Sequence, residues 1–285
     1  YFGEKFINSE PKNIYIILIN YNMNDNSFND ILFVSAYRNI NRATWTSRPR
    51  CEAIYLSYFH NMAINIKYNL IVFLEKRLLE TLRQKYSKYI NISFYDIDLV
   101  DSFYQKFLEK DKQIMQSKTY QNKIPERRKL NPECIYSEYN LINHSKINWI
   151  KAASNIMPNY QFYSWIDFGM IRNKNGEMVP KNIDIKTLSK NKVTYQARLM
   201  PLHKRITENK MLKTGTVYIL GSAYIIHKSL INKFENLWEN KIIEWQENYI
   251  TDDDQHLILQ LYYDTPDLFI LKESRTWFNL FNILS

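Results

Sequence analysis

Asn69-Leu70-Ile71-Val72-Phe73-Leu74-Glu75 is an unbroken apolar run of strand length, and its neighbours on either side decide the fold class. After it, Arg77 to Tyr86 carries Leu78, Leu79 and Leu82 at helical spacing, and Ile90, Ile92 and Phe94 then alternate as a half-buried strand does. Before it, Ile31 to Tyr37 is a second short apolar run, followed by polar residues that include Arg38, Arg42 and Arg48. A helix is expected to start near Pro49, since proline suits a first helical turn, and to reach about Asn65. Strands alternating with helices of about ten or more residues predict an α/β fold with a central, mostly parallel sheet of the Rossmann kind flanked by helices.

The pattern continues outward in both directions. Residues 101–133 read as a charged helix followed by the basic loop Asn122 to Lys129, which suits either a solvated face or a contact to an anion. Tyr139, Ile142, Trp149, Ala153 and Ile156 form one helical stripe. Lys146 falls inside that stripe, so it either snorkels from the edge of a buried face or points at a ligand. Strands are expected over Gln161 to Met170, Val193 to Leu199 and Val217 to Ile226, the last interrupted by Gly221. Ile231, Phe234, Trp238, Ile242 and Trp245 mark an amphipathic helix, Asp252 to Tyr263 a further one, and Leu268 to Leu271 a last strand. Residues 1–29 stand apart as an extension, a strand over Asn13 to Asn20 plus a polar loop, and 30–285 read as one domain.

The 285 residues are 45% hydrophobic and 15% aromatic, which is ample for one large core. The formal charge of +9 suits phosphate-bearing partners without choosing among nucleotides, nucleic acids and anionic surfaces. Two cysteines, Cys51 and Cys134, cannot make a disulfide framework, so a reduced, cytoplasmic or cytoplasm-facing setting is expected. The apolar runs are strand-sized and none reaches the roughly 18 to 20 residues of a membrane span. There is no GxGxxG, no GxxxxGK[ST] and no HExxH, and the five histidines are scattered.

Three clusters carry candidate chemistry. Trp165-Ile166-Asp167-Phe168-Gly169 puts a carboxylate at a strand end, where open α/β sheets bind ligands. Asp167 could there hold Mg²⁺ or Mn²⁺ against a diphosphate, or merely cap the following turn. Thr251-Asp252-Asp253-Asp254-Gln255 opens a helix; Thr251 with Asp254, or Asp252 with Gln255, has capping-box spacing. One cap does not need three adjacent acids, whose repulsion calls for a metal, a cation or a raised pKa, and a general base is an alternative use. Third, the segment Ser35 to Trp45 places arginines and aromatics after a strand, as base stacking and phosphate binding require.

In this order the clusters resemble the HtrL/YibB-like family, whose members are regarded as glycosyltransferases. The similar stretches are Phe33-Val34-Ser35-Ala36-Tyr37 leading to Arg42 and Trp45, Asn131-Pro132 with Ser137-Glu138-Tyr139, Ser164 to Gly169, Asp252 to Gln255, and Trp277-Phe278. The resemblance implies a GT-A-like fold, a nucleotide-sugar donor, an acceptor hydroxyl on a glycan, protein or lipid, and a divalent metal. Donor binding is expected at Ala36, Tyr37, Arg38, Arg42, Trp45, Lys146, Asp167 and Gly169, and the resemblance implies Asp167 as the metal ligand. Gly221 and Ser222 match the acceptor loop. Asp253 or Asp254, with Gln255, matches the catalytic end of inverting members. Two departures stand out: Gly169 replaces the second carboxylate of the Asp-X-Asp motif, and no histidine follows His256, so Lys272, Arg275 or Trp277 takes that region. The competing expectation is a non-catalytic module of the same fold that binds nucleotides, glycans or other polyanions. The enzyme reading expects no nucleic-acid partner.

Overall fold

The computed structural model describes residues 30–285 apart from 201 and 202. The extension expected over residues 1–29 lies outside the described residues.

Seven strands form one sheet: β1 (Ile31–Tyr37), β2 (Leu70–Leu74), β3 (Ile92–Asp96), β4 (Phe162–Ile166), β5 (Val193–Ala197), β6 (Ile219–His227) and β7 (Phe269–Glu273), in the order β3-β2-β1-β4-β6-β5-β7. All pairings are parallel except those of β6, which runs against both β4 and β5. The topology thus meets the expectation of an α/β fold with a central, mostly parallel sheet.

The strand sequences follow from burial on both faces. Ile31 and Phe33 point to the core shared with Phe59 and Phe168, while Leu32 and Val34 point to the core shared with Trp149 and Trp238. A strand covered on both faces has no polar side to alternate, hence the continuous apolar runs. At the edge, β3 alternates buried Ile92 and Phe94 with half-buried partners. Ile90, expected to join it, is 65% exposed and precedes the strand.

The helices differ from expectation in three places. The helix expected near Pro49 is Glu52–Ala63, with Cys51 at its N-cap and Pro49 in the preceding loop. The single helix expected from Tyr139 to Ile156 is two, Ser137–His144 and Lys146–Ile156. The Ser145 hydroxyl between them donates to the Leu141 carbonyl at 2.7 Å, a local bond that competes with helix continuation. The helix expected from Asp252 runs Asp254–Asp264 with Asp253 as its N-cap.

The chain leaves β1 for β2 and β3 on one side and returns to β4 on the other. The carboxyl ends of β1 and β4 therefore meet at a switch point, where a crevice must open. Among the described residues no helix is long and apolar enough to cross a membrane.

Candidate active site

A cleft of about 810 Å³ opens at that switch point. Ala36, Tyr37 and Arg38 line it from the end of β1, Asp167 and Gly169 from the end of β4, Ser222 from β6, and Asp253 and Gln255 from the Asp254–Asp264 helix start. Because β6 is antiparallel to β4, its beginning lies beside the end of β4. The Asp167 amide donates to the Ser222 carbonyl at 2.9 Å.

Lys146 stands at the centre. Its ammonium lies 2.7 Å from Asp254 Oδ2, 3.1 Å from Asp167 Oδ1 and 3.0 Å from the Gly221 carbonyl, which satisfies all three of its N–H donors. The side chain is only 4% exposed. Burial would discharge it, but Asp167 and Asp254 outweigh burial and hold its pKa above the ordinary lysine value. Asp167 Oδ1 also accepts the Trp165 indole N–H at 2.7 Å. Its second oxygen takes no hydrogen bond from the described residues, and the side chain stays 35% exposed to the cleft. Lys146 opens the second of the two helices, directly after the Ser145 junction, and is buried there.

Gly221 explains the interruption of β6. A Cβ there would sit 2.0 Å from Asp254 Oδ2, so only glycine lets the carboxylate lie against the strand. Opposite it the β5–β6 register jumps between Tyr195 and Gln196, a bulge that leaves Gly221, Ser222 and Ala223 unpaired on that side.

The three successive acids have three separate fates. Asp252 is buried; its Oδ2 receives His256 Nδ1 at 2.8 Å and lies 3.4 Å from Arg128. Burial opposes its charge, but His256 and Arg128 hold its carboxyl below the usual range. Asp253 caps the helix by accepting from the Gln255 amide at 3.1 Å and faces the cleft. Burial, with Asp252 and Asp254 beside it, pushes its carboxyl well above the ordinary value. Asp254 is held by Lys146. Neither expected capping-box pair forms: Thr251 donates its hydroxyl to Asp111 at 2.8 Å, and Asp252 is spent on His256.

Some expected residues lie elsewhere. Trp45 is 6% exposed and stacks on Tyr136 at 4.0 Å behind the cleft wall. Gly221 lies beneath the cleft, with Ser222 alone reaching it from the expected acceptor loop. Arg128, part of the loop that suits a solvated basic face, is 2% exposed and donates to the Met211 and Leu212 carbonyls at 3.0 and 2.8 Å. Of the three C-terminal candidates, Trp277 lines the cleft and Lys272 and Arg275 do not. Arg172 and Arg198 line it too, and nothing in their local sequence marks them.

A divalent metal fits these donors poorly. At Asp167 a single carboxylate is already paired with an ammonium, and Gly169 supplies no second one. Asp252, Asp253 and His256 do bring ligand atoms within 4.8 Å of one another, the spacing an ion can use. But His256 Nε2 faces the Thr216 carbonyl at 3.2 Å and must carry a proton, while Nδ1 faces Asp252. Burial acts against that charge, yet Asp252 raises the imidazole to about 9, which makes it a cation at neutral pH. A metal there would have to displace that proton.

A family model described as "Bacterial protein of unknown function (HtrL_YibB)" matches residues 29–285. The chain belongs to the HtrL/YibB family. It is 26% identical over 268 residues to Protein HtrL of Escherichia coli strain K12, covering 87% of this chain and 90% of that one. Among solved structures it is similar to a glycosyltransferase involved in the glycosylation of the major capsid of PBCV-1 (12% identity, TM-score 0.40, covering 85% of this chain and 81% of that one). It is similar also to mouse xyloside xylosyltransferase 1 (10%, 0.44, 89% and 92%) and to 4-diphosphocytidyl-2C-methyl-D-erythritol synthase from Anaerococcus prevotii (14%, 0.41, 90% and 95%). At such distances the function of this HtrL/YibB member has to be read from the side chains of its cleft.

Proposed function

We propose that the cleft transfers a sugar from a nucleotide-diphosphate sugar to an acceptor hydroxyl. The observation that carries the reading is the juxtaposition at the β1/β4 switch point. There, arginines after β1 face a carboxylate, Asp167, that a buried lysine fixes in place, with a second, cleft-facing acid, Asp253, at a helix start. Arg38 and Arg42 suit the diphosphate, since guanidinium groups pair phosphate oxygens through parallel N–H donors. Asp167 presents its unoccupied oxygen to a hydroxyl of the donor sugar. Asp253 takes the proton.

The chemistry is an in-line displacement. The acceptor oxygen attacks the anomeric carbon as the bond from that carbon to the diphosphate oxygen breaks. The electron pair leaves with the diphosphate, where the arginines stabilise the growing charge, and the hydroxyl proton passes to Asp253. This inverts the anomeric centre. Lys146 is a positioning residue: it aims Asp167 and holds Asp254 away from the acceptor. The divalent ion that the family resemblance implies has no step here, because the donor set at Asp167 does not fit one.

The test is binding and turnover together. Thermal stability measured against a panel of nucleoside diphosphates should rise for one of them with or without chelator, since ligand binding stabilises as the logarithm of concentration over Kd. Donor turnover should persist in excess EDTA. Asp167→Asn should lower turnover about a hundredfold, about 2.7 kcal/mol in barrier, with the fold intact. Near wild-type turnover in that variant would remove Asp167 from the site. A response only to long polyanions would instead favour a binding module.

A further inference from the structure

The cleft wall carries six arginines and Lys146 against four carboxylates. Three of those carboxylates are accounted for: Asp167 and Asp254 pair with Lys146, and Glu133 with Arg128. The fourth, Asp253, accepts from the Gln255 amide at the helix start and pairs with none of the arginines. Arg38 has Asp98 at 3.5 Å. Among the described residues no carboxylate pairs with Arg42, Arg50, Arg172 or Arg198. These four are held by aromatic rings instead.

The rings link them into one ribbon. Arg42 lies over Tyr139 at 5.6 Å and donates to the Tyr55 hydroxyl at 2.8 Å. Arg50 lies over that same Tyr55 at 5.2 Å and reaches Tyr58 at 5.9 Å. Arg172 shares Tyr58 at 6.0 Å and lies over Phe278 at 5.0 Å. Phe278 adjoins Trp277, whose face carries Arg198 at 4.9 Å. Arginine and aromatic alternate from the donor end of the cleft to its far rim. Arg48 in the same loop and Phe278 hold left-handed backbone at φ 52° and 60°, a conformation that non-glycine residues adopt only where the surroundings enforce it.

A guanidinium stacked on a ring keeps its N–H edge free for an oxyanion in its own plane. Arg42 gives its Nε–H to the Arg48 carbonyl and one terminal N–H to Tyr55. Arg50, Arg172 and Arg198, however, leave three such edges in a row beyond the pair that faces the diphosphate, and anions offset their mutual repulsion. The ribbon does not suit single-stranded nucleic acid, which stacks its bases on open aromatic faces, because here the guanidinium groups lie over those faces. Trp277, with Arg198 over one face, is 36% exposed.

Resting on the transferase reading, we infer that the acceptor is an anionic glycan, its phosphate or carboxylate groups held along the ribbon by Arg50, Arg172 and Arg198. The experiment measures binding of four probes to the wild-type chain and to the double variant Arg172→Ala with Arg198→Ala. The probes are a uronic-acid oligosaccharide, a phosphorylated hexose oligosaccharide, a neutral hexose oligosaccharide of equal length, and a single-stranded oligonucleotide. The best nucleoside diphosphate from the panel serves as control. At least one acidic oligosaccharide should bind the wild type at least about tenfold tighter than the neutral one, and the double variant should lose at least about tenfold of that affinity. Its nucleoside-diphosphate affinity should change less than about twofold. Which acidic probe binds identifies the source of the anion. Equal affinity for neutral and acidic glycans, no binding of either, tightest binding of the oligonucleotide, or a parallel loss of nucleotide binding in the variant overturns the inference. Acidic-glycan binding with no response to any nucleoside diphosphate sustains the ribbon and sinks the transferase reading.

Discussion

Asp252 and Asp254 are two residues apart, chemically identical and both ion-paired, yet they belong to different networks. Asp252 faces inward to His256 and Arg128, and Arg128 in turn ties the 126–133 segment to the Met211 and Leu212 carbonyls. Asp254 faces the cleft, where its partner Lys146 also grips Asp167 across the sheet. The first network connects elements, whereas the second aims a carboxylate at the cleft. A helix start turns successive residues by about 100°, so a run of like acids is necessarily distributed among different surroundings. Asp253 lies between them, and burial, reinforced by the two charges beside it, makes its carboxyl resist ionisation.

The sharpest way to break the comparison is to open the inward network. Arg128→Met leaves Asp252 and Glu133 short of a buried cation, and losing one partner of a buried pair costs about 3–5 kcal/mol. Chemical denaturation should read that loss, while folded protein keeps its nucleotide affinity. A midpoint equal to wild type would reduce the network to decoration.

The second test uses proton linkage. His256 is raised to about 9 in the folded protein, against about 6.5 when unfolded. Its contribution is therefore fully present below pH 6.5 and is lost as the pH rises through 9, amounting to at most about 3 kcal/mol. Asp111 is lifted by burial to about 6, so its loss has the same sign but falls in the separate window between about 4 and 6. Melting curves from pH 6.5 to 9 should decline for wild type and flatten for His256→Gln. Parallel slopes for the two proteins would remove His256 from the network.

The smallest expected change in stability is also the most discriminating. Asp253→Asn keeps a good cap, so stability should move by less than about 0.5 kcal/mol while turnover falls by about 10²–10⁴. Asp253→Ala should add a capping loss of about 0.5–2 kcal/mol. Because the carboxyl is raised, wild-type turnover should climb with pH later than an ordinary aspartate allows. Full activity in the asparagine variant would return the residue to capping alone.

The strands were legible because burial on both faces of a parallel sheet leaves a local mark, as in Leu70–Leu74 and Ile31–Tyr37. Asp167 and the acidic run were legible as unusual residues at element boundaries. Helix boundaries were less so. At the Ser145 junction one hydroxyl bonds a carbonyl four residues back, a local contact that composition does not reveal. Trp45 looked like a ligand platform because aromatic and arginine were adjacent, but it stacks on Tyr136, which is distant in sequence.

By itself, then, the sequence determined the α/β class, the family and the two acidic clusters, because periodicity, strand length and ordered motifs are local properties. Tertiary structure alone decided that Lys146 joins Asp167 to Asp254, that Gly221 is required by a carboxylate 33 positions away, and that Arg128 is buried. It also decided that arginines from residues 42 to 198 form one ribbon. The reason is physical: a charge is defined by what surrounds it, and those surroundings come from strands and helices that meet only when the sheet closes.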